Sequence, residues 1–235
     1  MADPRSLTSV VLVTGTGTGV GKTVVTAALA AVVRERGSSV AVVKPAQTGV
    51  LPGEPGDVDD VRRLVGGDLV THELVRLRDP LAPEAAARRE GVTLPPVAAH
   101  AKRVGEVARE SEVVFVEGSG GLLVRLDQRG GTLADLGTGL RYKGIGCGVV
   151  LVASAGLGTL NTAALTAEAL AARSLPLLGV VIGSWPAEPG LAEECNLVDL
   201  PRVTGAPLWG RIPEGAGRMP REQFLAAVPE WFALA

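Results

Sequence analysis

The chain has 235 residues, of which 46% are hydrophobic and 3% aromatic, and its formal net charge is −2. This size and apolar content fit a globular protein that buries a sizeable core. Because 23 Lys and Arg residues stand against 25 Asp and Glu residues, no basic surplus is available to neutralise a nucleic-acid backbone, and aromatic residues are too sparse to stack on bases.

The sequence also gives no sign of a membrane or secretory segment. Apolar runs are shorter than a membrane span, and residues 1–9 lack the charged start and apolar core of a signal peptide. The two cysteines, Cys147 and Cys195, have neither metal-ligand spacing nor a disulfide framework. We therefore predict a cytoplasmic protein without nucleic-acid or membrane partners, in which both cysteines are small packed residues.

The first predicted element is a buried strand at residues 10–13, which runs into a turn rich in glycine and threonine. Lys22 and Thr23 then open an amphipathic helix. This order is typical of a phosphate-binding loop, in which backbone N–H groups and the helix dipole face the phosphates, the Lys binds the outer phosphates and the Thr hydroxyl is placed to hold Mg²⁺. The usual first glycine position is Thr16 here, and Gly15 stands one residue earlier, so the loop is a variant.

A second buried strand is predicted at residues 40–43 and ends at Lys44, before a loop rich in Gly and Pro. A short helix then begins at Asp57, and Asp59 and Asp60 also lie in its first turn. Carboxylates at a helix N-terminus are stabilised by the helix dipole. Spacing alone does not say which of the three aspartates would bind a metal.

The middle of the chain is less regular. Prolines at 80 and 83, and again at 95 and 96, predict the starts of two helices, the second running to about residue 111. The two histidines, His72 and His100, stand among polar helical or loop residues without a metal-ligand or triad pattern. Both are predicted to be solvated. A third strand at residues 113–116 ends in Glu117 and a run of glycines.

The rest of the chain continues to alternate helices and strands. The predicted elements are a helix near 133–141, a strand at 149–153, a helix after the glycine turn at 155–158, a strand at 179–182, a helix from about 191, a strand-like PLWG and a last helix near 222–232. Nearly apolar strands separated by helices predict an α/β fold with a mostly parallel sheet, helices on both faces and a single domain over residues 1–235.

Ligands of such sheets bind beyond the carboxyl ends of the strands. The strand ends therefore predict one site that contains the phosphate loop, Lys44, Glu117 and the pair Gly183-Ser184. On spacing alone, Lys44 could equally be a solvated strand end. Glu117, followed by glycines, fits an Mg²⁺ ligand or a polarising group, and its alternative is a capping or turn carboxylate.

Several motifs, taken in order, resemble the dethiobiotin synthetase family of biotin biosynthesis: GTGTGVGKT, KPAQTG, DVDD, VEGSGG, GLGTLN, VVIGSW and PLWGRIPEG. The resemblance extends from about residue 10 to residue 214 and includes the extra residue in the phosphate loop. It implies a P-loop NTPase-like fold. The implied activity is ATP- and Mg²⁺-dependent ring closure of 7,8-diaminononanoate with CO₂ to a cyclic urea, by way of a carbamate and a carbamic-phosphoric anhydride.

The resemblance also implies roles for individual residues. Lys22 and Lys44 would be catalytic, and Thr23, Asp57 and Glu117 would bind Mg²⁺. The implied nucleotide site comprises Gly19, Val20, Gly21, Lys22, Thr23, Val24, Asp57, Glu117, Gly118, Ser119, Gly120, Gly183, Ser184, Ile212, Pro213 and Glu214. The implied substrate site comprises Thr18, Lys44, Thr48, Gly121, Thr159, Leu160 and Asn161. The last three begin a helix that would receive the substrate's carboxylate from a neighbouring chain, so a homodimer with shared active sites is expected.

Three positions depart from the family pattern. Gly19 stands where some members carry Glu in the loop, so any role of that carboxylate is absent here. Gly183 stands where some members carry an Asn that reads adenine, so other nucleoside triphosphates are expected to be accepted beside ATP. Ser119 is commonly Ala, and its hydroxyl is expected to be incidental. The alternative function is a nucleotide-gated switch of the partitioning type, but such proteins usually carry a second Lys early in the loop, and residues 15–20 contain none.

Overall fold

The structure is a computed structural model that describes residues 7–232. The strands are β1 (Val10–Gly15), β2 (Val40–Lys44), β3 (Val70–Glu73), β4 (Val113–Gly121), β5 (Cys147–Ala153), β6 (Leu177–Trp185) and β7 (Leu208–Pro213). The helices are α1 (Lys22–Glu35), α2 (Asp57–Val65), α3 (Pro83–Glu90), α4 (Val97–Val107), α5 (Leu133–Tyr142), α6 (Thr159–Ala171), α7 (Leu191–Thr204) and α8 (Arg221–Trp231).

The seven strands form one sheet in the order β3-β2-β4-β1-β5-β6-β7. Every pairing in this sheet is parallel. The predicted α/β fold with a parallel sheet is therefore confirmed. Strand β1 lies at the centre between β4 and β5, so the loop that follows it opens at the middle of the sheet edge.

Both faces of the sheet are buried because the strand residues are apolar on both sides. On one face, Val11 and Val13 pack with residues of α1, α2 and α8. On the other face, Val10 and Leu12 pack with residues of α4 and α5, and Leu151 packs with residues of α6 and α7. Helices on both faces, as predicted, bury each strand's alternating side chains.

Strand β3 was not expected from the sequence. Its residues, VTHE, have no apolar run, and all four are exposed or half-buried. The strand lies at the edge of the sheet and pairs only with β2, with Val43 opposite His72. The expectation that His72 lies in a helix or loop is therefore wrong. Pairing with β2, rather than burial of an apolar face, makes this segment a strand.

The prediction that His100 is solvated is wrong. The side chain is only 2% exposed, because His100 lies on the same face of α4 as the buried Val104 and Val107. Its Nε2 atom has no hydrogen-bond partner. Burial lowers the pKa of His100 below its ordinary value, and the nearby Asp127 carboxylate opposes this shift.

The two cysteines differ in their surroundings. Cys147 is buried as expected, and burial raises the pKa of its thiol to about 12. Cys195 is exposed on α7, so the prediction that it is a packed residue is wrong. Within residues 7–232, no helix is long and apolar enough to cross a membrane.

Candidate active site

The phosphate loop lies between the end of β1 at Gly15 and the start of α1 at Lys22. Gly21 caps the helix with a φ of 93°, a left-handed conformation that favours glycine. The Lys22 ammonium turns back over the loop and donates a hydrogen bond of 2.8 Å to the Gly17 carbonyl. Burial lowers the pKa of Lys22, partly opposed by the Glu117 carboxylate.

Lys44 is held between two carboxylates. Its Nζ atom lies 2.5 Å from Asp57 Oδ2 and 2.8 Å from Glu117 Oε1. It also donates a longer bond of 3.2 Å to the Gly118 carbonyl. Strands β2 and β4 are neighbours in the sheet, so the residues at their carboxyl ends meet, and α2 begins at Asp57 opposite them. Lys44 is therefore a buried ion-pair partner rather than the solvated strand end that its spacing also allowed.

Glu117 joins this cluster to the phosphate loop. The Thr23 hydroxyl donates a hydrogen bond of 3.0 Å to Glu117 Oε1, the same oxygen that contacts Lys44. Burial raises the pKa of Glu117, partly opposed by the Lys44 ammonium. Burial also acts to raise the pKa of Asp57, but Lys44 outweighs it and lowers that pKa. The same two carboxylates raise the pKa of Lys44 against the effect of its burial.

The three aspartates at the start of α2 have different surroundings. Asp57 contacts Lys44, whereas Asp59 accepts a hydrogen bond from the Gly56 N–H and pairs with an arginine on α2. Asp60 pairs with Arg63 on the helix surface. Of the three, Asp57 is the one that belongs to the charged cluster.

These oxygens have the chemistry of a magnesium site. The Asp57 and Glu117 carboxylates both lie within hydrogen-bond distance of the Lys44 ammonium group, and the Thr23 hydroxyl donates to Glu117. All three groups supply hard oxygen donors. Among the described residues, no group of three or more His, Cys, Asp or Glu could hold a metal ion by itself. A set of two carboxylates and a hydroxyl still fits Mg²⁺, which usually keeps waters and takes further oxygens from substrate phosphates.

The cluster forms the floor of a cavity of about 730 Å³. Most of the residues expected around the phosphates and the reacting groups line it: Thr18, Gly19, Gly21, Lys22, Thr23, Val24, Lys44, Thr48, Asp57, Glu117, Ser119 and Gly120. Gly118 and Gly121 continue β4 beside them. The Ser119 hydroxyl, expected to be incidental, donates a hydrogen bond of 2.7 Å to the Ala46 carbonyl and so ties β4 to the loop after β2.

Sequence reasoning missed one wall of the cavity. Residues 80–83, with the sequence PLAP, line it together with Gln47 and Val124. Gln47 is 4% exposed, and its Oε1 accepts a hydrogen bond of 2.9 Å from the Asp57 N–H. The sequence QTG, one residue after Lys44-Pro45, was a signal for Gln47. The contribution of PLAP depends on long-range packing, because Pro80 lies against Gly49.

The other expected residues lie outside this lining. Gly183 and Ser184 at the end of β6 adjoin Ile212, Pro213 and Glu214, since Trp185 pairs with Pro213 and the Glu214 N–H donates to the Trp185 carbonyl at 2.8 Å. The two segments expected at the base thus come together. Thr159, Leu160 and Asn161 begin α6, where Thr159 Oγ1 is buried without a hydrogen-bond partner.

Gly183 is fixed by its contact with the phosphate loop. A Cβ atom at this position would lie 2.0 Å from the Val20 carbonyl oxygen, and one at Gly21 would lie 2.3 Å from the Gly183 carbonyl oxygen. Both contacts are with backbone, which cannot move aside easily. In this chain, therefore, the absence of a side chain at Gly183 lets β6 pack directly on the phosphate loop.

A parallel sheet with a phosphate loop after its central strand, and with Lys, Thr and carboxylates beside that loop, defines a P-loop NTPase-like protein. A solved structure described as a ParA family ATPase from Chlorobium tepidum is similar to the chain, with a TM-score of 0.59 and 13% identity over 94% of this chain and 92% of that one. At this identity the likeness shows the fold alone. A family model described as an AAA domain matches residues 9–220.

Relatives with much higher identity carry the family assignment. A protein named ATP-dependent dethiobiotin synthetase BioD from Frankia casuarinae is 58% identical over 92% of this chain and 88% of its own length. One of the same name from Streptomyces avermitilis is 56% identical over 96% of this chain and 92% of its own length. The chain belongs to the ATP-dependent dethiobiotin synthetase family, and it is an ATP-dependent ligase. The resemblance drawn from the motifs is thereby confirmed.

Proposed function

We propose that this protein closes the cyclic urea of dethiobiotin from 7,8-diaminononanoate, CO₂ and ATP, as a step of biotin biosynthesis. The observation that carries the proposal is Lys44, buried between Asp57 and Glu117 at the edge of the phosphate loop. The carbamate and the γ-phosphate of ATP are both anions, so a fixed positive charge beside the outer phosphates would reduce their repulsion. Family membership supplies the identity of the substrates.

The proposed reaction has three bond-forming steps. One substrate amine adds to CO₂ and loses a proton, which gives a carbamate. A carbamate oxygen then takes the γ-phosphoryl group of ATP, with release of ADP, to form a carbamic-phosphoric anhydride. The second amine attacks the carbonyl carbon of this anhydride, and the carbon–oxygen bond to phosphate breaks. The ring closes as inorganic phosphate leaves with the bonding electrons and the attacking nitrogen gives up a proton to it.

In this scheme the protein supplies charge and position rather than acid–base chemistry. Lys22 binds the outer phosphates and the incoming carbamate oxygen, where preorganised positive charge stabilises the transition state. Lys44 faces the carbamate from the other side. The longest of its three contacts is the 3.2 Å bond to the Gly118 carbonyl, and we assign this donor to the carbamate oxygen. Thr18 and Thr48, both in the cavity lining, hold the reacting end of the substrate.

Three groups of residues hold the rest of the ligands. We propose that Thr23, Asp57 and Glu117 bind Mg²⁺, which when bound offsets the negative charge of the phosphates. The apolar residues of the PLAP wall, at 80–83, suit the alkyl chain of diaminononanoate. Gly183, Ser184 and residues 212–214 lie together beyond the phosphate loop and are assigned to the base. Because backbone groups dominate there, we expect other nucleoside triphosphates to compete with ATP.

We further propose a cytoplasmic homodimer in which each site is completed by its neighbour. Four exposed apolar side chains lie on or next to α6 and α7 and define an apolar face. They are Leu157 just before α6, which is 92% exposed, Leu165 on α6 at 57%, and Leu191 and Val198 on α7 at 79% and 62%. A second copy of the chain would cover this face. The N–H groups of Leu160 and Asn161, which follow Thr159 at the start of α6, would then meet the substrate carboxylate of the neighbouring site. The two free thiols suit a reducing compartment.

The proposal is tested by incubating the protein with diaminononanoate, bicarbonate and Mg-ATP and detecting dethiobiotin by mass spectrometry. Lys22→Ala and Lys44→Ala should each lower kcat at least about 100-fold, since loss of a preorganised charge costs roughly 3 kcal/mol of barrier. Lys102→Ala, at an exposed lysine of α4, is the matched control and should be unchanged. Near-normal turnover by the Lys44 variant at saturating substrate would remove Lys44 from the mechanism.

A further inference from the structure

The segment between β5 and α6, residues 154–158, is attached to the phosphate loop at its start. The Thr16 N–H donates to the Val152 carbonyl at 2.9 Å, and the Ser154 N–H donates to the Thr16 hydroxyl at 3.3 Å. Thr16 is the residue that makes the phosphate loop a variant. Its backbone therefore joins that loop to the end of β5, and its side chain joins the loop to the first residue of the segment.

The middle of the segment is attached to α7 by Asn196. This side chain is 5% exposed, and its Nδ2 atom donates to the Ala155 carbonyl at 2.7 Å and to the Gly156 carbonyl at 3.3 Å. The segment also packs closely here, because a Cβ atom at Gly156 would lie 3.0 Å from the Glu193 side chain. A buried amide that satisfies two loop carbonyls fixes the loop relative to the helix.

The end of the segment sets the first turn of α6. The Thr159 N–H donates to the Gly156 carbonyl at 3.4 Å, so Asn196 and the start of α6 share one acceptor. Gly158 then turns the chain with a φ of 89°. Leu157, at the tip of the segment, is part of the exposed apolar face. A change in the position of residues 155–156 would therefore move the N–H groups that begin α6.

We propose that Asn196 is a positioning residue for the substrate's carboxylate. It holds residues 155–156, and with them the Thr159 N–H that bonds to Gly156, so that the N–H groups of Leu160 and Asn161 face the substrate of the neighbouring subunit. This inference rests on the proposed function, in which α6 receives that carboxylate. Asn196 itself touches neither substrate nor nucleotide, so its effect should be confined to diaminononanoate binding.

The first test measures steady-state kinetics of Asn196→Ala. The KM for diaminononanoate should rise at least about fivefold, because two loop carbonyls lose a buried donor, while kcat and the KM for ATP stay near the wild-type values. The matched control is Thr204→Val, which removes a hydroxyl bonded to the Leu200 carbonyl on the same helix, away from the segment. It should leave every kinetic constant unchanged. A KM for diaminononanoate that stays at the wild-type value in Asn196→Ala would overturn the inference.

A second test asks which subunit's site Asn196 serves, by pairing differently tagged chains and isolating the mixed dimers. When Lys22→Ala is paired with Asn196→Ala, the surviving site uses the intact α6 of the Lys22→Ala chain, and its KM should be normal. When a chain with both changes is paired with wild type, the surviving site uses the altered α6, and its KM should be raised. The reverse pattern would overturn the inference.

The outcomes also separate this inference from the proposed function. A wild-type protein that makes no dethiobiotin would overturn both. Wild-type turnover together with an unchanged KM in Asn196→Ala would overturn the inference alone. A fall in kcat and a rise in both KM values, with a lower melting temperature, would mean that Asn196 supports the fold in general, which also contradicts a positioning role.

Discussion

The residue at the centre of the site is Lys44, whose charge is compensated by Asp57 and Glu117. Burying Lys44 and Glu117 beside the half-buried Asp57 costs desolvation energy that their attraction repays only in part, so such clusters are weak sources of stability. They do hold charge at a fixed place with little reorganisation, which is what stabilisation of a developing anion requires. We therefore interpret the cluster as part of the chemistry rather than as a support for the fold.

The aspartates of α2 allow a test within one helix turn. Asp57→Asn should raise the Mg²⁺ concentration needed for half-maximal turnover far more than Asp60→Asn, because Asp57 faces Lys44 and Asp60 pairs with Arg63 on the surface. The comparison is made by titrating Mg²⁺ at fixed ATP. Equal requirements in the two variants would show that Asp57 is not a metal ligand.

His100 should make stability depend on pH. Burial lowers its pKa below the ordinary value of 6.5, so the unfolded chain binds the proton more readily than the folded one. The contribution to stability is therefore present above about pH 6.5 and is lost as the pH falls. Asp127 opposes the shift in pKa without reversing it.

The measurement is the melting temperature between about pH 7.5 and pH 5.5. As the pH is lowered over this range, the melting temperature of the wild-type protein should fall further than that of His100→Gln, which cannot take up the proton. His72→Gln, at a half-buried histidine, should change the pH dependence less. Parallel melting curves for the wild-type protein and His100→Gln would contradict the account of this histidine.

At the scale of elements, the contact between β6 and the phosphate loop shapes the nucleotide site. Gly183→Ala should weaken ATP binding at least about tenfold, roughly 1.4 kcal/mol, because the added Cβ would meet the Val20 carbonyl. Calorimetry with a non-hydrolysable ATP analogue measures this change. Gly67→Ala, whose Cβ would meet nothing within 4 Å, is the control. Unchanged affinity in Gly183→Ala would mean that the loop adapts to the added group.

The sequence predicts those elements whose signal is local. Apolar strands, the phosphate loop and the acidic start of α2 are each recognisable within a few residues, and strand ends of a parallel sheet meet at one edge. Strand β3 has no local signal, because it depends on pairing with β2. Asn196 and the PLAP wall act through partners remote in sequence. His100 looked polar and solvated because its neighbours in sequence do not show which face of α4 is buried.

At the scale of the whole molecule, exposed apolar side chains on and next to α6 and α7 form the face that we propose a second copy covers. Leu165→Glu should place a charge on this face and convert the proposed dimer to a monomer, since a charge is costly to bury without a partner. Light scattering after size exclusion measures the mass. In the monomeric Leu165→Glu variant, turnover should be lost while nucleotide binding is kept. Tyr142→Glu, at a residue 93% exposed on α5, should stay dimeric, and a wild-type protein that is monomeric would contradict the shared site.

The proposed reaction takes the ureido carbon of the new ring from CO₂ and uses ATP to drive ring closure. The direct test supplies diaminononanoate, Mg-ATP and bicarbonate labelled with heavy carbon, and measures both the product mass and the ADP formed. We expect dethiobiotin that carries the label in its ureido carbon, and one molecule of ADP formed for each molecule of dethiobiotin. Release of ADP without labelled dethiobiotin would contradict the proposed reaction.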